Sequence, residues 1–347
     1  MAARRDKLSR DEAFNCGSWN FRRSRVRRGL VDHFSGDIII SGASIGRLLA
    51  VPTTIHPVIH AFGNQMIRIL SWNIQNGKGC DDRVTLSRIV REIEAMGGPD
   101  VLCLQEISRG LEIFDNPERP DQMSQLCEFL RGYEGVFGPA IDALGSSGRW
   151  QYGNAVFSRL PIVASASHLL PRPGDANKEQ MMRQATEIVV DTDHGLRRII
   201  TTHLEFHSPR QRLAQILRLR ELHEEAVEEQ SMPAKVTDQG PYQLVPRPAD
   251  VVMCGDFNML PDSDEYQALL APLSLGCANL SDAWKLVFPD RAHEATCGIH
   301  DRSQWSQGPH CRDYFFVAGH CEHQLRQVIV NTETSASDHQ PLMIELS

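Results

Sequence analysis

The chain has no apolar run approaching the ~18 residues that a membrane-spanning helix needs, so integral membrane association is not expected. Its nine cysteines are an odd number with no regular spacing and no CxxC pair, which argues against a disulfide ladder. They read as reduced thiols of a cytoplasmic protein. No internal repeat of the 20–50-residue kind that marks solenoids is present. The basic start is not followed by an apolar core of the kind a secretory signal carries. What remains, 41% hydrophobic and 23% charged over 347 residues, is an ordinary globular composition that buries a core without covalent staples. That length allows one large domain or two ordinary ones.

Charge is unevenly spread. Of 36 Lys and Arg and 44 Asp and Glu, residues 1–65 hold ten and five, a balance of +5, which leaves 26 against 39, a balance of −13, for the rest. An acidic body approaches polyanions poorly unless a bound cation inverts the local field. Arg4, Arg5, Lys7, Arg10, Arg22, Arg23, Arg25, Arg27 and Arg28 crowd residues 1–29 without any helical or strand period. We read residues 1–65 as a basic, disordered extension. The alternatives are a nucleic-acid-binding arm or a transit-like peptide, the latter opposed by Asp6, Asp11 and Glu12.

From Met66 onward, strands alternate with helices. Ile67–Trp72, Val101–Gln105, Ala155–Phe157, Thr186–Val190, Arg198–Leu204, Val251–Cys254, Tyr314–Val317 and Leu342–Leu346 read as strands. Leu86, Ile89, Val90 and Ile93 mark one face of a helix that Gly97-Gly98-Pro99 stops, and residues 210–229 form a longer helix. Residues 231–248, with four Pro, read as a loop or surface insertion. The fold class is therefore α/β, with buried sheets in a domain spanning 66–347.

Polar residues of catalytic type sit at strand ends throughout: Asn73, Glu106, His203, Asp256 and Asn258 follow strands, and Asp313 and Asp338 precede them. Glu106 is a hard oxygen ligand that Asn73 and Asp338 can join, a set suited to Mg²⁺ or Mn²⁺. His203 and His339 can donate to phosphate oxygens. Asp313 can hold His339 protonated and oriented. Asp256 and Asn258 share a turn from which both side chains can face one water.

The segments SWNIQ, LQE, YGNAVFSRLPI, TTHLEFH, GDFN, CRDYFFV and SDHQPL, met in that order, resemble the endonuclease/exonuclease/phosphatase family of deoxyribonuclease I-like phosphoesterases. The resemblance covers about residues 66–347. It implies a four-layer sandwich of two packed mixed β-sheets flanked by helices, and metal-dependent hydrolysis of a phosphoester. By that resemblance Glu106 is the principal metal ligand, supported by Asn73, with Asp338 beside the site. His203 stabilises the pentacovalent phosphorus, and Asp256 with Asn258 handles the attacking water. Asp313 and His339 form a carboxylate–histidine pair, and Tyr152 and Asn154 touch substrate. A different class of function is a catalytically silent binding module that kept the fold, which the active residue type at every such position opposes.

The substrate stays open between nucleic acid and a small or lipid-derived phosphoester. His203 stands where apurinic-site endonucleases carry Tyr in a YVPN-like segment, which argues against abasic-site repair. A deadenylase would carry an accessory protein-binding region such as leucine-rich repeats. A basic groove would favour a nuclease, and a pocket walled by a 107–150 loop a phosphatase. No partner chain is implied, so a monomer is expected. Other features have plain readings. His293, Cys297, His300, His310, Cys311, His320, Cys321 and His323 tempt a zinc reading but lack paired ligands. Arg210, Arg212, Arg218 and Arg220 read as a solvated helix face. Trp150, Trp284 and Trp305 read as buried aromatics before stacking platforms.

Overall fold

The computed structural model describes residues 66–111, 121–232, 235, 240–274 and 276–347. The basic arm at 1–65 lies outside the described residues. The ordered elements begin with β1 (Ile67–Asn73), α1 (Leu86–Ala95), β2 (Val101–Arg109), α2 (Gln122–Phe129), β3 (Glu134–Gly145) and β4 (Gly148–Ser158). They continue with β5 (Ile162–Leu169), β6 (Gln184–Val190), β7 (Arg197–His203), α3 (Pro209–Ser231), β8 (Val251–Asp256) and α4 (Asp264–Leu270). The last are β9 (Ser281–Asp282), α5 (Ala283–Val287), β10 (Asp313–Ala318), α6 (His320–Gln324), β11 (Leu325–Val330) and β12 (Leu342–Leu346).

Two six-stranded sheets result, ordered β11-β12-β1-β2-β4-β3 and β5-β6-β7-β8-β10-β9. Each is mixed: β1 runs parallel to β2, and β7 to β8, while the other pairs are antiparallel. The period-2 alternation of each strand explains the layers. Ile69, Val101, Cys103 and Val156 face inward and meet Ile188, Ile199, Val252, Cys254 and Phe315 of the other sheet. The opposite face of the first sheet, with Leu70, Trp72, Leu102 and Leu104, packs against Ile89, Ile93 and Leu126 of α1 and α2. The outer face of the second, with Ile200, Met253 and Phe316, packs against Ile216, Leu219 and Leu222 of α3 and Leu269 of α4. The expected α/β sandwich of two packed sheets flanked by helices is therefore the observed architecture.

Three local expectations change. The described residues of the 107–150 segment are mostly regular structure: the end of β2, α2, β3 and the start of β4. Strand β3 has a register shift between Pro139 and Ile141 and a half-exposed edge, so its sequence shows no clean alternation. Two of the four arginines of α3 do not belong to a solvated face, while Arg210 is exposed and Arg218 pairs with Glu221 and Glu225 of the same helix. Arg212 forks onto Glu265, and Arg220 donates to the carbonyls of Ala268, Leu269 and Pro272, so both fasten α3 to α4 and the turn after it. Trp284 and Trp305 are buried as expected, while Trp150 is half-buried. No helix among the described residues is long and apolar enough to cross a membrane.

Candidate active site

Strand register assembles the centre of the site. His203 at the end of β7 lies level with Asp256 at the end of β8, which lies level with Asp313 at the start of β10. Gly255 makes this alignment possible: at φ 137°, a Cβ there would sit 1.9 Å from the Thr202 carbonyl oxygen. In the other sheet Asn73 ends β1 beside Gln105, and Glu106 follows at a register shift between Leu104 and Ile107. Glu106 and Asn258 both adopt positive φ, 62° and 51°, an uncommon backbone state for such residues and one that clusters at functional sites. The shift at Glu106 turns its side chain out of the strand's ordinary alternation and toward the other sheet.

Hydrogen bonds then connect the two halves. The Asn73 side-chain amide donates to Glu106 Oε1 (3.1 Å) and to Asp256 Oδ2 (3.0 Å). Its oxygen accepts the backbone N–H of Gln75 (3.0 Å), so Asn73 ties two carboxylates together and turns its amide nitrogen toward them. Asn76 donates to the other Glu106 oxygen (3.2 Å). Asp256 Oδ1 accepts the backbone N–H of Asn258 (2.9 Å), whose side-chain amide donates to the Leu204 carbonyl (3.0 Å). His339 Nδ1 sits 2.8 Å from Asp313 Oδ2, and its Nε2 faces Asp256 Oδ2 at 3.6 Å, opposite His203 Nε2 at 3.4 Å. Asp338 turns inward, where Oδ2 accepts the indole N–H of Trp305 (2.9 Å).

The electrostatics divide these groups. Burial pushes the Glu106 carboxyl up, and the Asp338 charge adds to it, against weaker pulls from Asn73 and His339. Burial holds His203 down at about 3, and the nearby Arg183 charge adds to this, so its ring is neutral. His339 goes the other way: burial lowers it, but Asp313, Asp256 and Asp338 together raise it well above the ordinary histidine range. Burial and Asp256 push Asp313 up while His339 pulls it back.

Asp256, Asp313 and His339 also bring ligand atoms within 4.8 Å of one another. An imidazolium has no lone pair for a metal, however, and His339 is already occupied by Asp313. Glu106 and Asp338 are the better pair for a cation. The Asp338 charge is close enough to raise the proton affinity of Glu106, and the imidazole 3.8 Å from Glu106 is neutral. That oxygen pair would suit a hard divalent ion.

Tyr152 is buried against Glu106 and Asn76, and both burial and Glu106 push its hydroxyl up. Asn154 is buried and reaches the Gln184 carbonyl at 3.5 Å. The His/Cys-rich segment does not converge: His293 pairs with Asp282, Cys297 with His310, His300 with the Thr332 carbonyl and His320 with Asp250. Sequence reasoning missed Arg183. It is buried beside Glu205 (3.7 Å), its Nε has no hydrogen-bond partner, and its charge reaches Glu106, His203 and Tyr152. It precedes β6 by one residue, in text that carries no motif.

A sequence model of the Endonuclease/Exonuclease/phosphatase family matches residues 70–339. No curated protein sequence matches the chain. Among solved structures, one described as an endonuclease/exonuclease/phosphatase from Beutenbergia cavernae is 21% identical, with a TM-score of 0.55, covering 81% of this chain and 71% of that one. The mannosyl-6-phosphatase Bt3783 of Bacteroides thetaiotaomicron is 18% identical, with a TM-score of 0.56, over 81% of this chain and 99% of its own. A truncated TDP2 from Caenorhabditis elegans is also 18% identical, with a TM-score of 0.52, over 81% and 97%. At these identities the structures establish the shared fold alone. The family match is another matter, because it starts within β1 and ends on His339 and so encloses the strand ends from which the site is built: the chain belongs to the endonuclease/exonuclease/phosphatase family.

Proposed function

We propose that this chain is a divalent-metal-dependent hydrolase of phosphoester bonds that uses Mg²⁺ or Mn²⁺. The observation that carries the reading is the level alignment of His203, Asp256 and Asp313 across three adjacent strands, with the charged His339 facing Asp256 from the opposite side. Glu106 and Asp338 would hold the metal, with Asn73 orienting Glu106. When bound, the metal neutralises charge on the phosphoryl oxygens.

The remaining chemistry belongs to the side chains. Asp256 accepts hydrogen bonds from Asn73 and from the Asn258 backbone, which fixes its carboxylate to orient and deprotonate a water. His339 meets a non-bridging phosphate oxygen as a cation, held by Asp313. His203, neutral, donates an N–H to another. Arg183, with a donor unused in the protein, adds positive charge on the Glu106 side. Tyr152 and Asn154 border the substrate. Every one of these groups lies in residues 66–347, which we take as the catalytic domain, acting as a monomer in the cytoplasm.

The experiment is a panel of single-stranded DNA, RNA, abasic duplex, inositol phosphates and bis-p-nitrophenyl phosphate, assayed with Mg²⁺, with Mn²⁺ and with excess EDTA. We expect hydrolysis that EDTA abolishes and either metal restores. Full activity in EDTA, or hydrolysis of none of the panel, would end the proposal.

A further inference from the structure

Beside Asn258 the rim of the site carries an aromatic ledge that hydrolysis itself does not use. Phe206, three residues beyond His203, keeps 37% exposure although three groups already touch it. The Arg312 guanidinium lies 5.3 Å from its ring centroid, Trp305 at 5.8 Å and His207 at 4.8 Å. Arg312 lies over the buried Trp305 as well, at 4.9 Å. Both neighbours belong to the surroundings of the site. Arg312 Nη1 donates to the Asn258 carbonyl (3.2 Å), and Trp305 bonds Asp338 and packs 5.6 Å from the His339 ring. The ledge therefore begins one side chain away from the groups that meet the phosphate.

The loop that carries Phe206 is fixed. The buried Glu205 accepts the backbone N–H of His207 (2.9 Å) on one oxygen and that of Met181 (3.2 Å) on the other. Arg212 Nη1 donates to the carbonyls of Glu205 (2.8 Å) and Phe206 (3.1 Å), and Glu265 holds Arg212 in place. These bonds keep an apolar ring partly in water beside a polar site, where its exposure is unfavourable. A ring so held loses little conformational freedom when a ligand covers it.

Resting on the phosphoesterase reading above, we propose that Phe206 and Arg312 form a subsite that stacks an unpaired nucleobase next to the scissile phosphate. The substrate is then a nucleotide ester or a short single-stranded end. Phenyl and guanidinium faces both stack on bases, and sugar and acyl-chain phosphates offer no π-face in return. The bases of a duplex are already stacked. The −13 balance of residues 66–347 disfavours a long polyanion and leaves a short one acceptable.

The test compares a thymidine dinucleotide with two analogues in which tetrahydrofuran replaces the base on one side of the phosphate or the other, using the full chain with Mg²⁺. Removing one particular base should lower kcat/KM about tenfold or more, mostly through KM. Phe206→Ala and Phe206→Leu should reduce that preference to near unity, and Phe206→Tyr should keep it. Calorimetric titration of AMP and ribose 5-phosphate onto Mg²⁺-loaded Asp256→Asn should show the same preference without turnover, and adding Phe206→Ala should remove it. Equal kcat/KM with and without either base, or a Phe206→Ala loss that is the same for all three dinucleotides, overturns the subsite. Should no phosphoester be hydrolysed at all, the activity fails and the AMP titration alone decides the subsite.

Discussion

Two clusters of buried charge, one within the second sheet and one where the two sheets meet at the site, are built on opposite principles. Under α3, Glu187 of β6 accepts Arg247 Nε at 3.0 Å and lies 3.5 Å from Arg198 and 3.3 Å from His168. Arg198 is in turn bonded to His223 (2.9 Å) and to the Leu222 carbonyl (3.2 Å). Burial pushes Glu187 up, but His168, Arg198 and Arg247 outweigh it and hold the carboxyl at about 2. Burial lowers Arg198 to about 10, still charged at neutral pH. Glu187 faces three basic groups, and the folded state favours its ionised form. At the other cluster, burial pushes Glu106 and Asp313 up, and neighbouring carboxylates, Asp338 and Asp256, push them further. Folding in that place opposes the charge it confines. A satisfied buried network holds a protein together, whereas an unsatisfied one is tolerated where a ligand completes it.

Glu106→Gln should separate the two principles most widely. We expect the rate at standard Mg²⁺ to fall by about 10³-fold, the upper scale for losing one preorganised charge contact, and to recover partly as metal is raised. Because the folded state raises this carboxyl's pKa, ionising it destabilises the fold as pH climbs past the unfolded value. Neutral Gln removes that penalty, so the Tm at pH 7 should be unchanged or higher. A Tm several degrees lower would place Glu106 among the structural charges. Asp313→Asn should cost about 10²-fold in rate with the metal dependence unchanged, since it acts through His339. Combining it with His339→Ala should lose much less than the product of the two single effects. Full multiplication of the losses would mean the two residues act independently.

Glu187→Gln should do the reverse. A carboxyl held at about 2 in the fold and 4.5 outside it contributes on the order of 3 kcal/mol at neutral pH. Its folded pKa is the lower one, so the contribution is present above pH 4.5 and is lost as pH falls from there toward 2. Urea titrations at pH 7 and pH 3 should show a clear loss for the variant at pH 7 and a much smaller one at pH 3, with kcat/KM per folded molecule unaltered. A variant with wild-type stability at pH 7 would break the contrast between the clusters.

The sequence makes the catalytic cluster far easier to read than the structural one. His203, Asp256 and Asp313 each close or open an apolar strand, so their positions survive in the text as polar punctuation of hydrophobic runs. That the three are level depends on the parallel pairing of β7 with β8 and the antiparallel pairing of β8 with β10, which no local pattern records. Arg183 and Glu187 are invisible for a related reason. Each is one charge in a segment whose burial comes from α3 and β7, elements many residues away. Arg212 and Arg220 mislead because a helix rich in Arg and Glu looks solvated, and only the placement of α4 turns two of those arginines into fasteners. The residues at 134–145 read as loop because an edge strand with a bulge and a half-exposed face loses its alternation.

The smallest effect we expect is from removing residues 1–65, and it bears directly on the unbalanced cluster. That arm carries a balance of +5, while the body carries −13 and its site gathers Glu106, Asp256, Asp313 and Asp338. If the arm added cations there, a chain beginning at Met66 would lose rate or bind metal more tightly. We expect neither. The family match begins at residue 70, and Arg183 and His339 already provide positive charge beside those carboxylates. The shortened chain should match the full chain within about twofold in kcat/KM on a neutral-leaving-group diester, and in the metal concentration for half-maximal rate. The informative comparison is a salt titration on single-stranded nucleic acid. Should the full chain alone show a rate that falls steeply between 50 and 200 mM salt, the arm is making phosphate contacts and is a binding element. Equal slopes leave the acidic body, with its own site charges, responsible for all of the substrate's approach.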